Sequence, residues 1–434
     1  MRLVQVLIPE GKRESVLSVL DNEQIDYAVW DETGRGDFEA LVQFPIPSIG
    51  VEPILDKLRE AGVIRGVYTI VLSPETVISE HIDMLKSRYA GGERISREEL
   101  IARARSLAPA ASTYFAFLIL STIIATAGLL LDSVATIIGG AMVVAPLMGP
   151  AITASVGTVV DDRKLASRGV VLQVTGLVMA IAVSALVGFF IKESFFLPPG
   201  LDIRDVTQIA ERISPPISFM CCLPWGSGLA GAISVIRNVG SALVGVAIAI
   251  ALIPPAATSG LGIAWGLPGG VALASALLVV INMLAVNVST LVLFWLSGFR
   301  PPEFSAINHA RYAVISRSAL LLIAITILSV VLILVSFSSY QTYVIEQKVN
   351  EEVNYMFEEP MYSGIGLTPV EVSIGYDSGN ILLEEPVRVD IVVAHPAAQE
   401  VPEDIAIQID RRLTEAINRN FEVRVGFVET QQTA

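Results

Sequence analysis

Apolar residues dominate the middle of the chain, whereas apolar and polar positions alternate at both ends. Between residues 110 and 340 the hydropathy pattern predicts seven helices, each long enough to cross about 30 Å of hydrocarbon. The predicted spans are 110–131, 134–160, 166–192, 215–236, 239–265, 270–298 and 311–340. This stretch has only 8 acidic and 10 basic residues, which favours a transmembrane domain between two water-soluble domains.

Residues 1–78 alternate in the order βαββαβ, which predicts a ferredoxin-like α+β sandwich. The expected strands are Leu3–Pro9, Tyr27–Trp30, Phe38–Phe44 and Val67–Leu72, with helices at Glu14–Leu20 and around Ile54–Leu58. Many functions occur on this fold, so a ligand-sensing role and plain oligomer scaffolding both stay open. Residues 79–109 predict amphipathic elbow helices, the second of which begins with a capping box at Ser96–Glu99.

Residues 341–434 are strongly acidic and follow the order αββαβ, which predicts a second ferredoxin-like unit. The expected helices are Tyr343–Phe357 and Asp404–Asn418, and the expected strands are Val370–Tyr376, Val387–Ala394 and Phe421–Val428. The order resembles that of the C-terminal domain of cation diffusion facilitators, at the level of the fold only. His395 alone is a poor metal site, so we predict an assembly or gating role, with a solvated cap as the alternative.

Two proline-containing segments interrupt the apolar spans. The first runs from Ala145 to Pro150, and the second runs from Ile250 to Pro255, 105 positions later. Proline lacks an amide proton and clashes with the preceding turn, so each segment predicts a broken helix at membrane depth. The alternative is that the prolines only kink continuous helices, while neighbouring groups satisfy the freed backbone.

An ungapped shift of 105 residues aligns the two segments. Val134, Gly140, Leu147, Pro150, Ala151, Thr153 and Gly157 then meet Val239, Gly245, Leu252, Pro255, Ala256, Thr258 and Gly262. The paired proline, threonine and glycine residues indicate a three-span repeat over 110–193 and 215–298. Because three is odd, the second copy enters the membrane from the opposite side. Such inverted repeats are typical of secondary transporters.

The predicted binding chemistry lies at the two breaks. Proline suits the first position of a helix, so Pro150 and Pro255 would each begin a half-helix whose free amide protons and positive dipole end face inward. Hydroxyl groups follow just after, and the asparagines of the sixth span either line a pore or bond between helices. The predicted substrate-binding residues are Pro146, Gly149, Pro150, Thr153, Ser155, Pro254, Pro255, Thr258, Ser259, Asn282 and Asn287.

Basic residues predict the orientation of the spans. One set of flanks contains Arg94–Arg105, Arg163–Arg168, Arg237 and Arg300–Arg317, and cytoplasmic loops are the ones enriched in such residues. The N-terminal domain of this multi-pass cell-membrane protein should therefore be cytoplasmic and the C-terminal domain extracellular. The first residues are already strand-like, so we expect no cleavable signal peptide.

Charge and residue usage exclude several classes of function. The net charge of −14, with 6 lysines against 23 arginines, is typical either of a halophile or of an acidic mesophile protein from a GC-rich genome. No basic patch for nucleic acid is present. The adjacent Cys221 and Cys222 are expected to be core residues, and the scattered histidines predict neither a metal site nor a cofactor. The sequence shows no nucleophile–base pair of the kind that enzymes use, so we do not expect an enzyme.

The segments Thr136–Pro150 and Ala249–Pro255 resemble a family of prokaryotic membrane proteins filed as domain of unknown function 389. The resemblance covers mainly residues 110–300 and implies a membrane location without an activity. We predict a transporter or channel-like facilitator for a small anionic or zwitterionic solute, bound at the paired breaks. A membrane-embedded sensor with a ligand-binding cytoplasmic domain is the alternative. The soluble domains are expected to support a homo-oligomer.

Overall fold

The computed structural model shows a mostly helical protein with a small β-sheet near each end of the chain. It describes residues 1–31, 38–63, 69–74, 77, 82–89, 94–108, 110–143, 147–193, 202–213, 217–237, 241–301, 304–359, 362, 367–375, 387–396 and 404–430.

The N-terminal sheet has the strand order β2-β3-β1-β4, with every neighbouring pair antiparallel. Its elements are β1 (Arg2–Pro9), α1 (Arg13–Asn22), β2 (Ala28–Asp31), β3 (Phe38–Ile46), α2 (Val51–Glu60) and β4 (Thr69–Leu72). Alternate residues of β1, namely Val4, Val6 and Ile8, are fully buried, which is why this strand shows period-two hydrophobicity. The predicted element order βαββαβ is confirmed.

Two short helices connect this sheet to the helical bundle, namely α3 (Ile82–Arg88) and α4 (Arg97–Ser106). The hydroxyl of Ser96 accepts a hydrogen bond of 3.2 Å from the amide of Glu99, so the predicted N-cap of α4 is confirmed. Just before α4, the amide of Ile95 donates to the carbonyl oxygen of Ile236 at 2.9 Å. The residue just before α4 is therefore attached to the end of a bundle helix.

The bundle contains α5 (Ala111–Leu130), α6 (Val134–Val143), α7 (Met148–Val159), α8 (Arg163–Lys192), α9 (Thr207–Ile213), α10 (Ile217–Arg237), α11 (Ser241–Ala264), α12 (Leu273–Leu296) and α13 (Phe304–Glu358). In the described part of the chain, four helices are long and apolar enough to cross a membrane. They are Ala111–Leu130, Arg163–Lys192, Gly270–Leu296 and Ala306–Ser338, and Ala249–Ala264 is a shorter apolar helix. The protein is therefore a membrane protein by these helices, whereas the number of seven spans stays a prediction.

The prolines of the two copies have different effects on the backbone. In the first segment, Leu147 lies in a turn and α7 begins at Met148, two residues before the predicted start at Pro150, while residues 144–146 lie outside the described part. The second predicted break is wrong, because α11 continues through Pro254 and Pro255 as one helix. The first copy has three helix-breaking residues, and the second copy has alanine where the first has Pro146 and proline where the first has Gly149.

Helices α7 and α11 lie inside the bundle and run in opposite directions. All twelve residues of α7 are buried, as expected for a helix that is enclosed on every side. Consecutive helices α7 and α8 form an antiparallel hairpin, whereas α8 and α11 pack side by side in parallel. Cβ atoms built at three glycines show these approaches, with Gly157 2.3 Å from the Ala166 amide nitrogen, Gly260 2.5 Å from the Ile181 oxygen and Gly188 2.8 Å from the Ala264 Cβ.

Helix α10 also contains a proline, Pro224, and continues through it as one helix. A Cβ at Gly228 would lie 2.0 Å from the hydroxyl oxygen of Ser289, so this glycine permits close packing against α12. Cys222 is a free cysteine with an exposed side chain, which corrects the expectation of a core residue. The side chain of Cys221 lies outside the described part.

Helix α13 has 55 residues and is about 82 Å long at 1.5 Å per residue. It continues from the bundle into the C-terminal unit, where Val349 and Val353 are buried in a core with the sheet. The remaining elements are β5 (Thr368–Gly375), β6 (Val387–Pro396), α14 (Ile405–Ile417) and β7 (Phe421–Thr430). Strands β5 and β6 are antiparallel, and β6 and β7 are parallel. The predicted order αββαβ is confirmed.

Candidate functional site

The beginning of α7 is packed against the end of the elbow. A Cβ at Gly149 would lie 1.8 Å from the carbonyl oxygen of Leu107, so only glycine fits there. The hydroxyl of Thr153 lies 2.7 Å from the Gly149 oxygen and 2.8 Å from the Ala104 oxygen. The negative dipole end of α4 thus meets the positive end of α7. The predicted half-helix start is covered by protein, together with the buried Pro150, while Pro146 lies outside the described residues.

A second group of polar side chains joins α7, α8 and α12. The hydroxyls of Ser155 and Thr290 are 2.7 Å apart. The amides of Asn287 and Gln173 exchange hydrogen bonds of 2.6 and 3.2 Å. Thr290 and Gln173 were not among the predicted binding residues, although a glutamine within an apolar span was a usable signal. These contacts match the predicted alternative, hydrogen bonding between helices.

Asn282 explains how α11 stays intact at its prolines. Because Pro255 has no amide proton, the carbonyl oxygen of Ala251 cannot receive its usual helical hydrogen bond. The side-chain amide of Asn282, on α12, donates to this oxygen at 2.8 Å. A neighbouring helix therefore supplies the hydrogen bond that the proline removes, as irregular backbone at membrane depth requires.

The α11–α12 contact also holds buried polar atoms without partners. Within the described part of the protein, no hydrogen bond reaches Thr258 Oγ1, Ser275 Oγ or Asn282 Oδ1. The hydroxyl of Ser259 donates to the Ala272 oxygen at 2.9 Å. This bond and the bond from Asn282 to Ala251 set an antiparallel register in which Thr258 and Ser275 lie at the same level. Buried polar atoms are normally paired, so each exception asks for an explanation.

The predicted binding residues thus separate into three places. Those beside the elbow are Gly149, Pro150 and Thr153, those between α7, α8 and α12 are Ser155 and Asn287, and those at α11 and α12 are Pro254, Pro255, Thr258, Ser259 and Asn282. Among the described residues at these three places, only the third includes buried polar atoms without a hydrogen-bond partner, so it is the candidate site. In the described residues, no group of three or more His, Cys, Asp or Glu side chains could hold a metal ion.

The turns that close the α7–α8 and α11–α12 hairpins are alike. Asp161 and Gly266, which the 105-residue shift aligns, both adopt a left-handed conformation, with φ of 59° and 76°. The next residue in each turn donates its amide hydrogen back to a helical carbonyl oxygen, from Asp162 to Gly157 and from Leu267 to Gly262, both at 2.8 Å. This is the Schellman pattern of helix ends. The two aligned segments therefore share a local backbone structure as well as residues.

Residues 142–288, which contain these turns and the candidate site, match the family described as "Domain of unknown function (DUF389)". An uncharacterised protein of Methanocaldococcus jannaschii is 30% identical over 312 residues, which are 72% of this chain and 92% of that protein. The chain belongs to the DUF389 family. The resemblance inferred from Thr136–Pro150 and Ala249–Pro255 is confirmed. No solved structure matches the chain. The family's description states no activity.

In this DUF389 protein, ion pairs attach the N-terminal sheet to the elbow. The guanidinium of Arg2 contacts both carboxylate oxygens of Glu99, at 3.0 and 3.1 Å. Arg59 contacts Glu98 at 2.9 Å. Burial opposes the ionisation of Glu98, but the charge of Arg97 and hydrogen bonds from Arg97 and Arg59 outweigh it, so the pKa of Glu98 is lowered. A continuous chain of contacts therefore leads from the N-terminal sheet through α4 to α7.

Proposed function

We propose that the protein is a membrane transporter or channel-like facilitator for a small anionic or zwitterionic solute. The observation that carries this proposal is the set of unpartnered polar atoms at the α11–α12 contact. An unsatisfied polar group in hydrocarbon costs several kcal/mol, so such groups at membrane depth favour a functional role. The hydroxyls of Thr258 and Ser275 can donate to a carboxylate, and Asn282 Oδ1 can accept from an ammonium group.

These contact points lie along a line rather than in one pocket. Asn282 is seven residues, or about 10 Å, along α12 from Ser275. A solute the size of an amino acid would therefore contact them one after the other. Successive contacts of this kind suit movement through the protein better than tight storage at one point.

The arrangement of α7 and α11 supports the inverted three-span repeat over 110–193 and 215–298. The two helices run in opposite directions and end in the same type of turn. Transporters built from inverted repeats bind their solutes near the interface between the copies. We therefore propose that the solute moves along α11 and that the protein has seven spans in total. The hydrogen bond from Thr153 to the elbow keeps the corresponding position on α7 inaccessible to the solute.

Contacts at the two ends of the bundle support the proposed orientation. Arg94 binds Glu52 of helix α2, in the N-terminal domain, and the Ser297 oxygen, while the early α13 residue His309 contacts Asp161 at the same end. Further along α13, the hydroxyl of Ser336 donates to the oxygen of Ile213. We propose that the first end is cytoplasmic, with the C-terminal unit on the other side.

The test is solute flux into liposomes that contain the purified full chain. We expect saturable flux of at least one amino acid or small organic acid. Thr258→Val should lose most of this flux without losing thermal stability, because that hydroxyl has no protein partner to lose. Thr153→Val is the matched control, since its hydroxyl is bound to the elbow and its loss should lower stability by about 1 kcal/mol. The absence of flux across a broad panel, or full flux in Thr258→Val, would contradict the proposal.

A membrane-embedded sensor is the second candidate, and the contacts from Arg2 and Arg59 to the elbow favour it. In that case, a ligand of the N-terminal domain would act on α7 through α4. Tight ligand binding by the full chain without any solute flux would favour the sensor. Glu99→Gln should then uncouple ligand binding from changes in α7, measured by hydrogen exchange of its amides.

A further inference from the structure

We propose that a second site, between the α7–α8 turn and the first turns of α13, binds the phosphate headgroup of an anionic phospholipid. A cavity of about 550 Å³ lies there. Its polar lining consists of Thr158, Asp161, Arg163, Ser167, His309 and Arg317. None of these residues belongs to the candidate solute site.

The charges around the cavity suit an anion. The carboxylate of Asp161 already contacts His309, whose Nδ1 lies 3.1 Å from one of its oxygens. Arg317 donates one hydrogen bond to the hydroxyl of Thr158. Among the residues that the structure describes, no carboxylate forms an ion pair with Arg163 or Arg317. Two guanidinium groups are thus available, and guanidinium matches phosphate oxygens in geometry as well as in charge.

The depth of the cavity is that of lipid headgroups. The hydroxyl of Tyr114, one turn into α5, donates to the Leu172 oxygen on α8, so Leu172 lies near the membrane edge at which α5 begins. Arg163 lies about 13 Å further along α8, beyond the start of α5. Headgroup regions add several ångströms on either side of the hydrocarbon core. The charged lining therefore falls outside the hydrocarbon, and the apolar lining falls at its edge.

The apolar lining and α13 favour a lipid over a soluble anion. Val170 and Val171 line the same cavity and are 48% and 55% exposed, so they offer an open apolar surface for the start of an acyl chain. Only 6% of the most apolar stretch of α13 is buried within the protein. The cavity therefore adjoins a helix whose apolar surface is uncovered and open to lipid. Basic pockets between membrane helices bind lipid headgroups in this way.

The experiment measures lipid binding to the full-length protein by native mass spectrometry in a neutral detergent. Phosphatidylglycerol is titrated against phosphatidylcholine. We expect Arg163→Gln to weaken phosphatidylglycerol binding about fivefold, as expected for one cationic group near a membrane surface. Lys164→Gln is the matched control, because this exposed neighbour on the same helix does not line the cavity, and it should bind as the wild type does.

Two further arms separate a lipid from a soluble phosphate. Val171→Trp keeps every charge but fills the apolar lining, and it should weaken phosphatidylglycerol binding. Inorganic phosphate at millimolar concentration should not displace the lipid. Displacement by phosphate, or equal lipid binding by Arg163→Gln and Lys164→Gln, would overturn the proposal. Arg317→Gln with Arg311→Gln as its control repeats the comparison on α13.

Discussion

The segments around α7 and α11 are aligned by one ungapped shift, yet their backbones accommodate the proline residues differently. In the first, the chain starts a new helix at Met148, and the elbow packs on it at Gly149. In the second, the helix continues through Pro254 and Pro255, and Asn282 binds a freed carbonyl oxygen. A proline at membrane depth therefore does not decide by itself whether a helix breaks. In the second segment, the neighbouring helix supplies the hydrogen bond that Pro255 removes.

The aligned threonines show what this difference means for function. Thr153 is bound to the elbow, whereas Thr258 is buried with no partner in the described protein. The first segment thus uses its hydroxyl to hold the elbow, whereas the hydroxyl of the second segment has no hydrogen-bond partner in the described protein. In the function that we propose, the second hydroxyl is the one that contacts the solute.

The largest loss of stability is expected from a substitution at Gly149. Gly149→Ala places a methyl group against the backbone of Leu107, which cannot move without shifting α4. We expect a loss of about 3 kcal/mol, the upper end of the usual cost of overpacking, measured as a lower thermal stability in detergent. Gly139→Ala is the control, because a Cβ there meets nothing within 4 Å. Equal stability of the two variants would show that the elbow does not pack on α7.

Substitution of Asn282 should lower the stability almost as much. Asn282→Leu leaves the oxygen of Ala251 unpaired, at a cost of about 2 kcal/mol. In Pro255→Ala, the restored amide proton can bind that oxygen, so Asn282→Leu should cost clearly less in that protein. A double-mutant cycle on thermal stability measures the difference. Additive effects would mean that Asn282 does not replace the hydrogen bond that Pro255 removes.

Acid should destabilise α4 and the start of α7 at a higher pH than it destabilises α11. The pKa of Glu98 is lowered in the folded protein from its ordinary 4.5, so its contribution is complete above that pH and is lost as the pH falls through the lower folded value. Below about pH 4.5 we expect faster hydrogen exchange in α4 and at the start of α7, with little change in α11. Glu98→Gln should show this exchange already at pH 7. Equal acid sensitivity of α7 and α11 would contradict the role of the elbow.

The smallest effect is expected at the hydrogen bond between α7 and α12. Ser155→Ala removes the contact with Thr290, and hydrogen bonds between membrane helices average about 0.6 kcal/mol. Thr290 retains its bond to the Val286 oxygen, so no buried hydroxyl is left unpaired. If Ser155→Ala lowered the thermal stability as much as Asn282→Leu does, the hydroxyl of Ser155 would have a larger structural role than one hydrogen bond between helices.

Local sequence features predicted much of this molecule. Alternation predicted the β1 strand, the serine–glutamate spacing predicted the cap of α4, and three helix breakers within five residues predicted the start of a new helix at α7. Contacts between distant elements could not be predicted. Nothing near Pro255 indicates that Asn282 lies opposite Ala251, and nothing near Gly149 indicates that Leu107 covers it. The cavity at Arg163 and Arg317 was missed for the same reason, because residues far apart in sequence form it.

The most direct test of the inverted pair is labelling of single cysteines from the two sides of the membrane. Lys164→Cys and Leu267→Cys, each in a protein whose Cys221 and Cys222 are replaced by serine, report on the two hairpin turns that the 105-residue shift aligns. A membrane-impermeant thiol reagent should label the first only from one side and the second only from the other. Labelling of both cysteines from the same side would contradict the inverted pair and the transport path built on it.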